Sequence, residues 1–219
     1  MLSLKKNELA AALVCAAKGD IRRCLNGVLV EHCQNGDVHI VATDGHRLFC
    51  GKSSPSAKIT GQGPWRLIIP RDAVAQAVKG SGDRVILEAL PNGLYTLGNR
   101  VFGAIDGEFP DWRRLVMKDN LPEEPASFNW EYIADAQKSL RLWTDDKSRT
   151  VFVEQHGNAQ PARITAEACD SAWVIVMSLL AIGEKASPFS PAEFEIVKEQ
   201  ETEESYDRPE CDFSSPHYA

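Results

Sequence analysis

Residues 22–49 read RRCLNGVLVEHCQNGDVHIVATDGHRLF. Leu25, Val28 and Val30, then Val38, Ile40 and Ala42, recur at strand spacing, so each run turns one side to a core. Between them, Gln34-Asn35-Gly36-Asp37 holds the Asn-Gly pair that tight hairpin turns favour, because both central residues need positive φ. After the second run, Thr43-Asp44-Gly45-His46-Arg47-Leu48 sets a polar cluster into an otherwise apolar stretch. A buried hairpin has no need of such residues there, so the cluster carries a functional reading.

Outward from this hairpin, one pattern occurs three times. Residues 2–6 read as a strand, and Asn7 caps a helix running to about Lys18, with Leu9, Leu13 and Ala16 on one face. The hairpin follows, then a loop rich in Ser, Gly and Pro over 52–63. Residues 65–69 are the next strand. Pro70 suits the first turn of a helix, where its missing N–H costs nothing, and the helix closes at Gly80. Strands are expected over 84–89, 93–98 and 100–105. The third occurrence has a short strand at 126–128, a helix capped by Asn129 and running from Trp130 to about Leu142, and strands at 150–155, 162–166 and 172–179. Helix starts lie about sixty residues apart, as expected for repeated supersecondary units that pair to bury their faces. The chain thus reads as three βαβββ units followed by a tail.

Charge is unevenly placed along the 219 residues. Residues 1–118 carry 16 Lys and Arg against 11 Asp and Glu, a surplus of +5. Residues 119–182 sum to −5 and residues 183–219 to −7. An acidic chain can still meet nucleic acid through a local basic face. The last stretch, with KEQETEESYDRPE and few large apolar residues, reads as a flexible acidic tail. No run of about 18 apolar residues predicts a membrane span. Glu8 interrupts the apolar N-terminal stretch, which fits an amphipathic helix better than a signal peptide. The six cysteines form no CxxC pair and sit mostly in apolar runs, so reduced thiols, no zinc and a cytoplasmic location are expected.

LNGVLVE, the turn, VATDGHRLF and, about sixty residues on, Phe109-Pro110-Asp111-Trp112-Arg113-Arg114 together resemble the middle domain of the bacterial β sliding clamp, the β subunit of DNA polymerase III. The resemblance covers residues 1–118 well and 122–180 more weakly. It implies an α+β fold of the DNA-clamp type, in which curved, mostly antiparallel sheets of βαβββ units carry helices on one side. Residues 1–118 would be a complete two-unit domain, residues 122–182 a half-domain, and residues 183–219 a tail outside the family pattern. The family's first domain and half of its third have no counterpart here, which puts its dimeric ring in doubt. Twelve such units make a clamp ring, so three per chain implies four chains.

The resemblance also implies sites. Thr43, Gly45, His46, Arg47 and Leu48 match the TxGHRL segment of an apolar pocket that receives peptides from polymerases and the clamp loader. Leu25 matches another wall, and Pro110 and Arg114 a closing edge. Val176-Met177-Ser178-Leu179 stands where the family has Val-Met-Pro-Met, so Val176, Met177 and Leu179 would form the far wall. Ser178 relaxes a backbone restraint that proline would impose. Arg22 and Arg23 occupy a loop that faces DNA in the clamp. Lys5, Lys6, Lys18, Arg71 and Lys79 lie on or beside the first two helices, the elements that line a clamp ring. Such residues neutralise phosphates without reading sequence, as sliding on duplex DNA requires. The alternative readings are a braced strand end at 44–47 and an ordinary solvated basic face.

Catalysis is the weakest reading. Two apart on a strand, Asp44 and His46 would point to one face and could form an acid–base pair, with Cys50 a conceivable nucleophile, but no third group, phosphate-binding glycine loop or metal cluster accompanies them. The sequence therefore favours a non-enzymatic processivity factor, without cofactor, that self-associates around DNA. A clamp-like module that binds replication partners without encircling DNA is the alternative. Residues 137–143, QKSLRLW, resemble a clamp-binding peptide, but Leu140 and Trp143 are more simply core.

Overall fold

The computed structural model describes residues 1–53, 63–115, 126–144, 150–155, 160–167 and 169–179. The acidic tail and most of the 52–63 loop lie outside them. The first unit comprises β1 (Leu2–Lys5), α1 (Lys6–Cys15), β2 (Gly27–His32), β3 (Val38–Thr43) and β4 (Arg47–Ser53). The second comprises β5 (Trp65–Pro70), α2 (Arg71–Ala77), β6 (Arg84–Ala89), β7 (Tyr95–Leu97) and β8 (Arg100–Phe102). The third holds α3 (Trp130–Thr144), β9 (Val151–Gln155), β10 (Ala162–Ala166) and β11 (Ala172–Val176). The expected strand at 126–128 is reduced to a single bridge, Ser127 to Leu179. No helix among the described residues is long and apolar enough to cross a membrane.

First strands are exchanged between units. A four-stranded sheet has the order β1-β6-β7-β8, and a seven-stranded sheet the order β5-β2-β3-β4-β11-β10-β9. All the named pairings are antiparallel. β4 and β11 join the first and third units into one sheet, with Phe49 opposite Val174. Residues Met1–Ala181 group as one body.

Strand parity sorts the seven-stranded sheet into two apolar faces. Val28, Val30, Ile40, Ala42, Phe49, Val174 and Val176 face the helices and share a core with Leu9, Ala12, Val74 and Leu140. Leu29, Val41, Leu48, Cys50, Ile68 and Ile175 face the other way, under a cover made by Phe109 and Trp112. That cover belongs to the FPDWRR segment, which closes as a 3₁₀ turn over Trp112–Leu115. The helix α3 buries Leu140 and Trp143 as core. Gly51 makes room for Trp143, since any Cβ there would overlap the indole ring.

Candidate peptide and DNA interfaces

The polar cluster after β3 is a turn and not the interior of a strand. Asp44 and His46 lie between β3 and β4, so they do not share one strand face as the sequence suggested. Thr43 Oγ1 donates to the carbonyl of Arg47 at 2.8 Å and accepts the Gly45 N–H at 3.0 Å. Asp44 Oδ1 accepts the N–H groups of His46 and Arg47 at 2.9 and 3.0 Å. A short polar side chain closing its own backbone in this way is what Asp and Thr do in turns. Gly45 takes φ +91°, a region that L side chains rarely adopt.

Arg47 couples this turn to the third unit. Its Nε bonds Asp44 at 3.1 Å, and its other arm bonds Asp135 of α3. Its guanidinium lies 5.0 Å from the ring centroid of Tyr132, and the ring of His46 stacks on the same tyrosine at 5.8 Å. The backbone N–H of Met177 donates to the His46 carbonyl at 2.8 Å. The turn therefore touches both the last strand and the last helix.

The outer-face cluster adjoins the turn. Leu48 and Ile175 are buried, while Cys24, Leu115, Trp173 and Met177 are partly covered at its fringe. Leu25 is buried, and Pro110 and Arg114 are exposed. Val176 faces the helix-side core, so it stands apart from Leu48 and Met177. Leu179 is half exposed, with its N–H donating to Ser127. Arg114 reaches only Asp111, whereas Arg113 anchors the covering segment. The Glu31 carboxylate accepts from Arg113 at 3.0 Å, from Arg66 at 3.3 Å and from Trp112 Nε1 at 3.3 Å. Arg113 also lies 4.3 Å from the Trp112 ring centroid. Sequence reasoning passed over Arg113. A buried glutamate on a strand facing two arginines was the available signal, because such a carboxylate needs partners.

The basic residues fall into two groups at opposite ends of the α1–α2 pair. Lys18, Arg23 and Arg71 line one groove, together with Asn26 and Asp72. Lys18 and Arg71 also line a neighbouring groove of about 660 Å³, which carries Asp20, Asp44 and Asp135 as well. Arg71 is committed within the fold, donating to the carbonyls of Leu13 and Ala16 at the end of α1 at 2.8 and 2.7 Å. At the other end, Lys6 donates to the Ser81 carbonyl at 2.5 Å, and Lys5 and Lys79 are exposed. Arg22 sits between the two candidate sites. It pairs with Asp20, whose carboxyl these hydrogen bonds hold down to about 2, and its Nη2 lies 2.9 Å from where a Gly45 Cβ would stand.

Ligand atoms of Glu31, Cys33 and His39 lie within 4.8 Å of one another. Glu31 is already filled by two guanidinium groups, and burial raises the Cys33 thiol, so the group reads as an ion-pair network and not a metal site. Cys50 is buried with its thiol pushed far up, opposite to what a nucleophile requires.

Residues 3–111 match the family model described as DNA polymerase III beta subunit, central domain. The chain is 30% identical over 144 residues to the beta sliding clamp of Proteus mirabilis, which covers 63% of this chain and 38% of that protein. It therefore spans well under half the length of this curated relative. The DNA polymerase III subunit beta of Pseudomonas aeruginosa superposes with a TM-score of 0.64 at 18% identity, covering 82% of this chain and 65% of that one. A Helicobacter pylori beta clamp bound to a DNA ligase peptide superposes with a TM-score of 0.64 at 13% identity, covering 82% and 66%. With three clamp-type units, the exchanged first strands and the central-domain match in place, the chain is a partial member of the β sliding clamp family of DNA replication.

Proposed function

We propose that the protein acts as a non-catalytic processivity factor, a clamp whose copies self-associate around duplex DNA and hold replication-protein peptides. Tethering raises the local concentration of a polymerase at its template. The observation that carries this reading is the contact of the Thr43–Leu48 turn with both Met177 and α3. It sets polar groups at the rim of an apolar cluster, the composition a peptide cleft needs. The peptide-bound Helicobacter relative supports a peptide as the ligand. Duplex DNA would lie against the helix side, near Lys18, Arg22 and Arg23, with Lys5, Lys6, Arg71 and Lys79 as further candidates. Closing a ring from three-unit chains takes four copies. The boundaries proposed are 1–118 for the full domain and 122–182 for the half-domain, in the cytoplasm.

Retention on nicked circular DNA, with release on linearisation, tests the encircling clamp. Binding of a polymerase or clamp-loader peptide, weakened by Leu48→Asp, tests the cleft. A second reading, a peptide-binding module that regulates replication without enclosing DNA, is favoured by Asp20, Asp44 and Asp135 in the groove beside Lys18. Peptide binding without retention on circles would select it.

A further inference from the structure

The first two units are related by reciprocal exchange. β1 of the first pairs with β6 of the second, and β5 of the second pairs with β2 of the first. In both pairs the residue just before the helix meets the first residue of the partner's second strand: Lys5 opposite Arg84, and Pro70 opposite Gly27. The third unit has the same order of elements, yet neither half of this exchange is made among the described residues. Its first strand survives only as Ser127, bridged to Leu179 on one edge. Its second strand, β9, is paired among the described strands with β10 and stands last in the order of the seven-stranded sheet.

Exposure marks the same vacancy. All six residues of β2 are buried. On β6 exposure alternates, with Val85 and Leu87 inside. On β9 two consecutive residues, Phe152 and Val153, are 51% and 49% exposed, although they point to opposite faces. Val151 packs against the helix-side core, and Val153 on the same face lies where that core stops. Trp130, just after this short segment, is 75% exposed. An open edge with apolar side chains on both faces is a template for another strand.

We infer that the third unit pairs with the third unit of a second copy about a true two-fold axis, residues 126–128 of each chain adding to β9 of the other. Self-association is part of the proposed function, and this inference names the strands that make it. The occupant follows from the fold's own rule. What fills the edge of a second strand in this chain is the first strand of another unit, and an identical unit satisfies both vacancies at once. The register follows too. Phe128, which like Leu4 and Ile69 stands two before its helix on the helix-side core, meets the partner's Val151 on that same face, as Leu4 meets Val85 and Ile69 meets Val28, and Ser127 meets the partner's Phe152. The Phe128–Val151 contact would be a cross-strand pair of an aromatic with a β-branched residue, made twice.

The test uses the full chain without DNA. Light scattering across a concentration series is expected to show a dimer or a multiple of it. Val153→Lys and, separately, Phe152→Glu should weaken association about tenfold or more while leaving the circular dichroism unchanged. The double variant Ser127→Cys with Phe152→Cys should form a covalent dimer under mild oxidation, and neither single variant should. A wild type that stays monomeric overturns the inference, as does association that survives both charge substitutions with no cross-link. A cross-linking dimer that slips off circular DNA keeps the pairing and removes the encircling clamp. Retention on circles without the cross-link removes the pairing alone.

Discussion

Arg47 in the turn after β3 and Asp135 on α3 form an ion pair across 88 residues of chain, with Arg47 only 13% exposed at its side chain. Arg47 has further support, from Asp44 and Tyr132, so the pair is a joint in a network. Removing Asp135 leaves a largely buried guanidinium with one carboxylate. Asp135→Ala is expected to cost about 1–2 kcal/mol, with a coupling of similar size to Arg47→Ala in a double-mutant cycle. Urea unfolding of the four proteins measures it. Strict additivity would show that the joint carries no energy.

Gly51 and Trp143 test how the third unit is docked. The indole sits where any side chain on Gly51 would go, and its Nε1 donates to Ser171 at 2.9 Å. Gly51→Ala should expel the ring and cost about 2–4 kcal/mol, near the cost of Trp143→Ala. Tryptophan fluorescence would shift to the red in Gly51→Ala if Trp143 leaves its site. An unchanged spectrum and melting temperature would count against the packing.

The units themselves were legible because their signals are local. The Asn-Gly turn, the cap at Asn129, the proline just before α2 and the strand alternation depend on neighbours within a few residues, whereas Asn7, expected as a cap, lies inside α1, which starts at Lys6. The joining of β4 to β11 was not legible, since no periodicity states which strands meet across 120 residues. Within the site, Val176 was grouped with Met177 although adjacent strand residues must face opposite ways, and parity alone would have separated them. Asp44 and His46 were placed on a strand because an apolar run continues beyond them. Positive φ at Gly45 and the Asp44 hydrogen bonds turn the chain there instead. Arg113 was overshadowed by Arg114 because a family motif does not say which arginine meets the buried Glu31.

Glu8 gives a pH prediction. Burial raises its carboxyl above the ordinary range, against the smaller opposing effect of the Ser53 hydroxyl, which donates to it at 2.5 Å. The folded state therefore holds the proton more tightly than the unfolded chain, so this group's contribution to stability falls as pH rises through the folded value. Glu8→Gln keeps an acceptor for Ser53 and removes the ionisation. Its stability relative to wild type should improve as pH is raised from about 4 toward 7, with little difference at the acid end. A difference independent of pH would show that Glu8 does not titrate differently in the two states.

Gly45 separates backbone strain from peptide binding. Gly45→Ala puts a methyl group at φ +91° and 2.9 Å from Arg22 Nη2. The backbone cost is about 1–2 kcal/mol, and the arginine must move as well. If the turn is the rim of a peptide cleft, affinity for a polymerase peptide should fall about tenfold or more in the folded variant, and Arg22→Ala should share part of that loss. Loss of stability with unchanged peptide affinity would place the cleft elsewhere.

Salt dependence decides whether the helix side meets DNA. Phosphate contacts release counterions, so each one lost reduces the slope of log affinity against log salt by about 0.9 for duplex DNA. Lys18 and Arg23 are exposed and line the same groove, whereas Arg71 is occupied by the end of α1. Lys18→Ala and Arg23→Ala should each lower the slope by about one unit, equally on any sequence, with the fold intact. Arg71→Ala should instead lower stability by freeing the Leu13 and Ala16 carbonyls, and should move the slope less than the other two. Arg22 discriminates between the two interfaces. Held by Asp20 beside Gly45, it should affect peptide affinity more than the salt slope, and the reverse outcome would move it to the DNA face.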